Sequence, residues 1–238
     1  MSKAARLSSK EIKEKLLDLG VDAKISGIRL EHQEEILMAV ELFRKKFQEL
    51  VNSGIVIREA NPLELIPKGQ TLKSWVSSMH YERQHGKLIA VVLLNPIWFR
   101  DKDLNKYLKM KFEQGYACSF NVVGVICHEL GHVLWLQLLT KNIGISIGNN
   151  IKPSQLSDLD RDWRNSQFVG QICIDTCLKL QIKNTKTVIE SELSEYGGAK
   201  PSETFSESIV EYCMNLNPRI FAKTIIAEYH VYARHYYK

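Results

Sequence analysis

Seven consecutive apolar residues, Leu88-Ile89-Ala90-Val91-Val92-Leu93-Leu94, run into Asn95-Pro96 and stop there. The run is short for a helix, and its branched side chains suit a strand. Successive side chains of a strand point to opposite faces, so this one is apolar on both. Such a strand has to lie inside a sheet with cover on each side. The rest of the chain must supply that cover. Its 238 residues, 45% apolar and 25% charged, suffice for one soluble domain with its own core, with or without a helical appendage.

The remaining pattern is largely helical. Ser8 or Ser9 caps a short helix over 10–19, ended by Gly20. Ile36, Val40, Phe43, Phe47 and Leu50 recur at helical spacing and predict a helix over about 31–52, with Gly54 as its stop. Strand character follows at 55–57, at 72–81 and, after a turn near 84–86, at 88–94. Residues 103–112 read as a connecting helix or loop. A helix over about 119–139 is capped by Ser119 or Asn121. Residues 141–160, rich in Gly, Asn and Ser, read as a loop. Helices are expected over 169–182, 186–194, 202–216 and 219–236, with Gly197-Gly198-Ala199-Lys200-Pro201 as a break. Helices, then strands, then helices make an α+β protein. We divide it at 53/54, into an N-terminal helical segment (a pro-segment or docking element) and a domain over 54–238.

A net charge of +5 with dispersed Lys and Arg, even counting Arg44-Lys45-Lys46, describes a solvated surface rather than a nucleic-acid-binding tail. Five scattered cysteines do not form a secreted disulfide framework. Cys173 and Cys177 share a helix face, but two sulfurs do not complete a zinc site. The N-terminus lacks the apolar stretch of a signal peptide, and no apolar run is long enough to span a bilayer. The expectation is a cytoplasmic protein with no membrane or nucleic-acid partner, leaving non-classical export open.

The segment that carries chemistry is His128-Glu129-Leu130-Gly131-His132, inside the apolar helix over 119–139. Residues four apart stand one turn above each other, so His128 and His132 can face one ion. Zinc accepts imidazole nitrogens at about 2.0–2.1 Å. Glu129 lies beside them, where a carboxylate can take a proton from water activated by the metal. A catalytic zinc needs a third protein ligand and one open position. His230 and His235 are candidates, but they sit among tyrosines where helix packing is the simpler account. Glu203 and Glu207 share a helix face in Ser202-Glu203-Thr204-Phe205-Ser206-Glu207. One of them can bind the metal while the other fixes a ligand histidine. By themselves they read more simply as the exposed acidic face of an amphipathic helix.

Taken together, His128-Glu129-x-x-His132 and Glu203-x-x-x-Glu207 resemble the gluzincin clan of zinc metallopeptidases. The resemblance is strongest to catalytic domains of the anthrax lethal factor type and their small gluzincin relatives. Those carry a Tyr-Gly pair with a ligand Glu seven residues after the Tyr, and Tyr196-Gly197 precedes Glu203 at that spacing. The resemblance covers mainly residues 128–212. It implies a zincin-like fold, a small mixed sheet packed on the active-site helix with a mainly helical C-terminal subdomain. It implies one zinc per chain on His128, His132 and Glu203, with Glu129 as general base and Glu207 supporting a ligand. Tyr196 would stabilise an oxyanion or protonate a leaving group, and the strand 88–94 would be the edge that holds an extended peptide. Ser206 stands where those proteins have Ala, and Pro201 where they have a polar residue.

The expected activity is therefore zinc-dependent hydrolysis of a protein or peptide. A non-catalytic zincin-like binding or assembly protein of a phage or mobile element, and a toxin-like effector protease, are the competing expectations.

Overall fold

The computed structural model describes residues 6–61 and 75–236. They form an α+β fold in the order α1 (Ser9–Asp18), β1 (Val21–Lys24), α2 (Leu30–Lys46), β2 (Ile55–Glu59), β3 (Ser77–Gln84), β4 (Lys87–Leu94) and α3 (Pro96–Phe99). Then come α4 (Leu104–Glu113), α5 (Val122–Asn142), α6 (Pro153–Arg164), α7 (Val169–Leu180), α8 (Lys186–Glu192), α9 (Pro201–Met214) and α10 (Ile220–Tyr236).

The sheet order is β1-β2-β4-β3. The β1–β2 and β2–β4 pairs are parallel, and β3 runs antiparallel to β4 through a tight turn at His85-Gly86. Both turn residues have positive φ, which suits a two-residue hairpin. The apolar run over 88–94 is an interior strand. This overturns its expected place at the edge: the edge beside the candidate site is β3, while β4 is paired on both sides. A long apolar strand stabilises a sheet best where both faces and both edges are covered.

The expected strand over 72–81 corresponds to β3, which starts at Ser77 and continues to Gln84; residues 72–74 lie outside the described residues. Its exposed C-terminal half, Glu82-Arg83-Gln84, has no apolar signature, but each residue pairs with β4. The local pattern also missed β1, whose four residues alternate buried and exposed beside β2. Thus strand pairing crosses the 53/54 position, and α2 packs on α5.

Helix α2 stops at Lys46, not near residue 52. The reason is not local. The Arg44 guanidinium donates to the carbonyls of Leu19, Leu50 and Val51, and Gln137 of α5 accepts from the Val51 amide at 2.9 Å. These bonds hold 47–52 in a turn that a helix could not make. The expected loop over 141–160 also gives way after Lys152, where Pro153 opens α6. Residues 103–112 resolve into a helix, α4.

Helix α5 is the centre of the molecule. Asn121 caps it by accepting from the Gly124 amide at 3.0 Å. It packs against α9, α2, α6, α10 and α4 and against β3 and β4. Helix α5 is long and apolar enough by composition to cross a membrane, contrary to the sequence expectation, but its most apolar window is wholly buried in this fold. A helix enclosed on every side needs no amphipathic stripe.

Candidate metal centre

Two elements build the site. Helix α5 carries His128, Glu129 and His132, and α9 carries Glu203 and Glu207. Gly131 lets the two helices approach. A Cβ there would stand 3.1–3.2 Å from Ser206 of α9, tighter than ordinary packing. Glu203 lies in the first turn of α9, where the helix dipole favours a carboxylate.

The three expected ligands converge. His128 Nε2 lies 3.2 Å from His132 Nε2 and 3.0 Å from Glu203 Oε2, and His132 Nε2 lies 3.4 Å from the same oxygen. Ligand bonds of about 2.0–2.1 Å in tetrahedral geometry require donor separations of about 3.3–3.4 Å. The observed triangle therefore fits one tetrahedral ion of zinc size. It is the one His/Cys/Asp/Glu group of this kind found among the described residues. His128, His132 and Glu203 are all buried.

Around this triangle the orientation of His128 is set by Glu207. Its Oε1 lies 2.8 Å from His128 Nδ1, so the carboxylate accepts the Nδ1 proton and leaves the Nε2 lone pair toward the triangle. The other oxygen of Glu207 accepts from the Cys118 amide at 2.5 Å and the Ser194 hydroxyl at 2.9 Å. Burial raises the Glu207 pKa, but these bonds outweigh it and hold the carboxyl below its ordinary range. Burial likewise opposes charge on His128, and Glu203 and Glu207 reverse the effect, holding its pKa well above that of free histidine. Glu203 is desolvated too, yet the histidines keep it ionised. The two carboxylates therefore favour positive charge at this point. His132 Nδ1 is buried with no hydrogen-bond partner among the described residues, where packing holds the second imidazole.

Glu129 lines the cleft beside His128. Ser77 of β3 donates to its Oε1 at 2.6 Å. Tyr196 lines the same cleft, its ring 5.7 Å from that of His128 and stacked on Tyr116 at 5.8 Å. The Tyr196 amide donates to the Tyr116 carbonyl, and Thr204 of α9 donates to the Gly197 carbonyl. Those bonds seat the Tyr196-Gly197 turn on α9. Burial, followed by Glu203 and Glu129, raises the phenol pKa, so the Tyr196 hydroxyl stays protonated near neutrality.

Two cavities meet at His128, Glu129, Ser77 and Tyr196. The smaller, about 190 Å³, is walled by Trp75, Tyr107, Leu108, Tyr116 and Val125. The larger, about 400 Å³, extends past His132 to Trp163 and Lys200. Such paired clefts can receive a chain on both sides of the metal point.

All six residues singled out from the sequence thus come together. His230 and His235 do not: His230 stacks on Phe47, and its Nδ1 lies 3.5 Å from Glu49. All five cysteines are buried and free. Sequence reading did not find Ser77, Tyr116 or Ser194. A serine or tyrosine in a polar stretch carries no spacing signal, so nothing local marks them. Compared with protein-family models, curated proteins and solved structures, the chain matches none.

Proposed function

We propose that the chain is a zinc-dependent endopeptidase of gluzincin type with a zincin-like fold. The observation that carries this reading is the donor triangle of His128, His132 and Glu203 with a carboxylate, Glu129, and a phenol, Tyr196, lining the same cleft. His128, His132 and Glu203 would hold a zinc ion, which would supply Lewis acidity and bring the pKa of water toward about 7. Glu129 takes the proton of the attacking water and passes it to the leaving amine. Ser77 keeps the base turned toward the cleft. Tyr196 donates to the oxygen on which charge develops. Among the described residues β3 is the outer strand beside the site, and such a strand can receive an extended peptide. Glu207 does no chemistry itself and holds His128 in the ligating tautomer.

The test is metal analysis beside proteolysis. Purified protein should hold about one zinc per chain and cleave peptides from a proteome-derived library. Glu129→Gln should keep its zinc and lose about 10²–10⁴-fold in turnover. Absence of zinc after reconstitution, or full activity in Glu129→Gln, removes this reading. Zinc bound with no cleavage by the wild type would favour a binding or assembly protein. A single cleaved host protein would favour an effector protease.

A further inference from the structure

The larger cavity contains groups that the hydrolytic scheme does not use. Arg164 ends α6, Lys200 precedes the first turn of α9, and Ser202 follows it; all three line the cavity. Arg164 donates its Nε proton to the Asp160 carbonyl at 3.1 Å. Its terminal amino groups meet no hydrogen-bond acceptor or ion-pair partner among the described residues. Lys200 Nζ lies 3.3 Å from Glu203 Oε1, the oxygen turned away from the histidines. Ser202 is 2% exposed, and its hydroxyl has no partner among the described residues.

The facing wall is flat and apolar. Trp163 stacks on Trp135 with ring centroids 3.9 Å apart and planes at 14°. The cavity's two carboxylates, Glu129 and Glu203, are engaged by Ser77 and by the histidines. The exposed Arg164 guanidinium and the Ser202 hydroxyl remain for whatever enters, with Lys200 held in part by Glu203. A guanidinium presents parallel N–H groups that match a carboxylate. A basic side chain there would face Arg164 and Lys200 directly.

We infer that this cavity is a carboxylate-binding subsite, so that the peptide places an acidic group beside the scissile bond. This rests on the peptidase reading above. An Asp or Glu side chain and a C-terminal carboxylate offer the same chemistry. Arg164 clamps the carboxylate, Ser202 donates to it, and Lys200 is shared between the carboxylate and Glu203. The Trp163 ring covers the aliphatic stem.

Binding, rather than cleavage, tests the subsite. Zinc-loaded Glu129→Gln protein is titrated calorimetrically with N-acetyl-Ala-Glu-Ala-amide, its Gln and Lys counterparts, and N-acetyl-Ala-Gln-Ala with a free carboxylate. At least one carboxylate probe should bind about tenfold or more tighter than the blocked Gln peptide. Preference for the Glu probe identifies a side-chain carboxylate, and preference for the free acid identifies the chain terminus. In the Glu129→Gln/Arg164→Glu protein the preference should disappear while zinc content and circular dichroism stay unchanged. Equal binding of all probes, binding of none, or a preference that survives Arg164→Glu overturns the inference, the last placing the carboxylate on the metal instead. Failure of the peptidase reading shows elsewhere, as a wild-type protein without zinc or without turnover.

Discussion

Glu203 and Glu207 show how far a residue's identity alone can be read. Both are one turn apart on α9, and both are buried. Their spacing allowed either to face the metal. What separates them is the partner each meets: Glu203 reaches both Nε2 atoms, whereas Glu207 meets Nδ1 of His128 and two donors from outside the triangle. Glu207→Gln should therefore weaken zinc binding by about 10–100-fold without abolishing it, measured by competition with a chromogenic chelator. An unchanged affinity would show that His128 needs no carboxylate to orient it. His32 makes a second residue-scale prediction. Burial pushes its pKa down, but bonds to Glu35 at 2.9 Å and the Asp101 carbonyl at 3.0 Å outweigh this and raise it above the ordinary value. A raised folded pKa means that the charged ring stabilises the fold fully below the unfolded value of about 6.5. The stabilisation is lost as pH rises through the folded value. The gap in urea midpoint between wild type and His32→Gln should be wider at pH 6 than at pH 9. Equal gaps would show that the ring is neutral throughout. Ser77 had no such legibility, because its bond to Glu129 spans 52 positions of sequence.

At the scale of elements, long periodic helices were readable and short or borrowed ones were not. α5, α9 and α10 follow from apolar spacing and caps, and their ends agree with expectation within about three residues. β1 and α6 did not follow. The first has four residues, and the second buries only Leu159 fully. Each is fixed by a neighbour: β1 by pairing with β2, and α6 by the Trp163–Trp135 stack and the bond from the Tyr81 hydroxyl to Asp160. The α5–α9 crossing carries a sharper consequence. Because Gly131 leaves space for Ser206 alone, Gly131→Val would drive a branched side chain into α9. We expect a loss of about 1–3 kcal/mol in stability. Zinc affinity should fall with it, since the ligands sit on both helices. Thermal melts and chelator competition check this together. A stable variant that binds zinc normally would show that the crossing tolerates a wider separation.

At the scale of the whole molecule, the N-terminal region and the remainder share one sheet and one core. Ile36, Ala39, Val40, Phe43 and Phe47 are fully buried, and the same cluster includes Leu130, Val133 and Leu134 of α5. Removing residues 1–53 would expose that face and the inner edge of β2. The truncated chain should be insoluble or lack a cooperative thermal transition. A soluble 54–238 fragment that melts cooperatively and retains zinc would instead show an independent domain with an N-terminal appendage. By itself, the sequence determined that one strand is apolar on both faces, that one helix is apolar throughout, and that two histidines on that helix can face one ion. Each of these follows from the 2.0 and 3.6 periods of neighbouring residues, which need no distant partner. Only the tertiary structure decided which strand is the edge, which glutamate meets both imidazoles, where α2 stops and which cations line the larger cavity. Those outcomes depend on groups brought together across tens of residues of chain, and the packing of α5 within its shell is what brings them together.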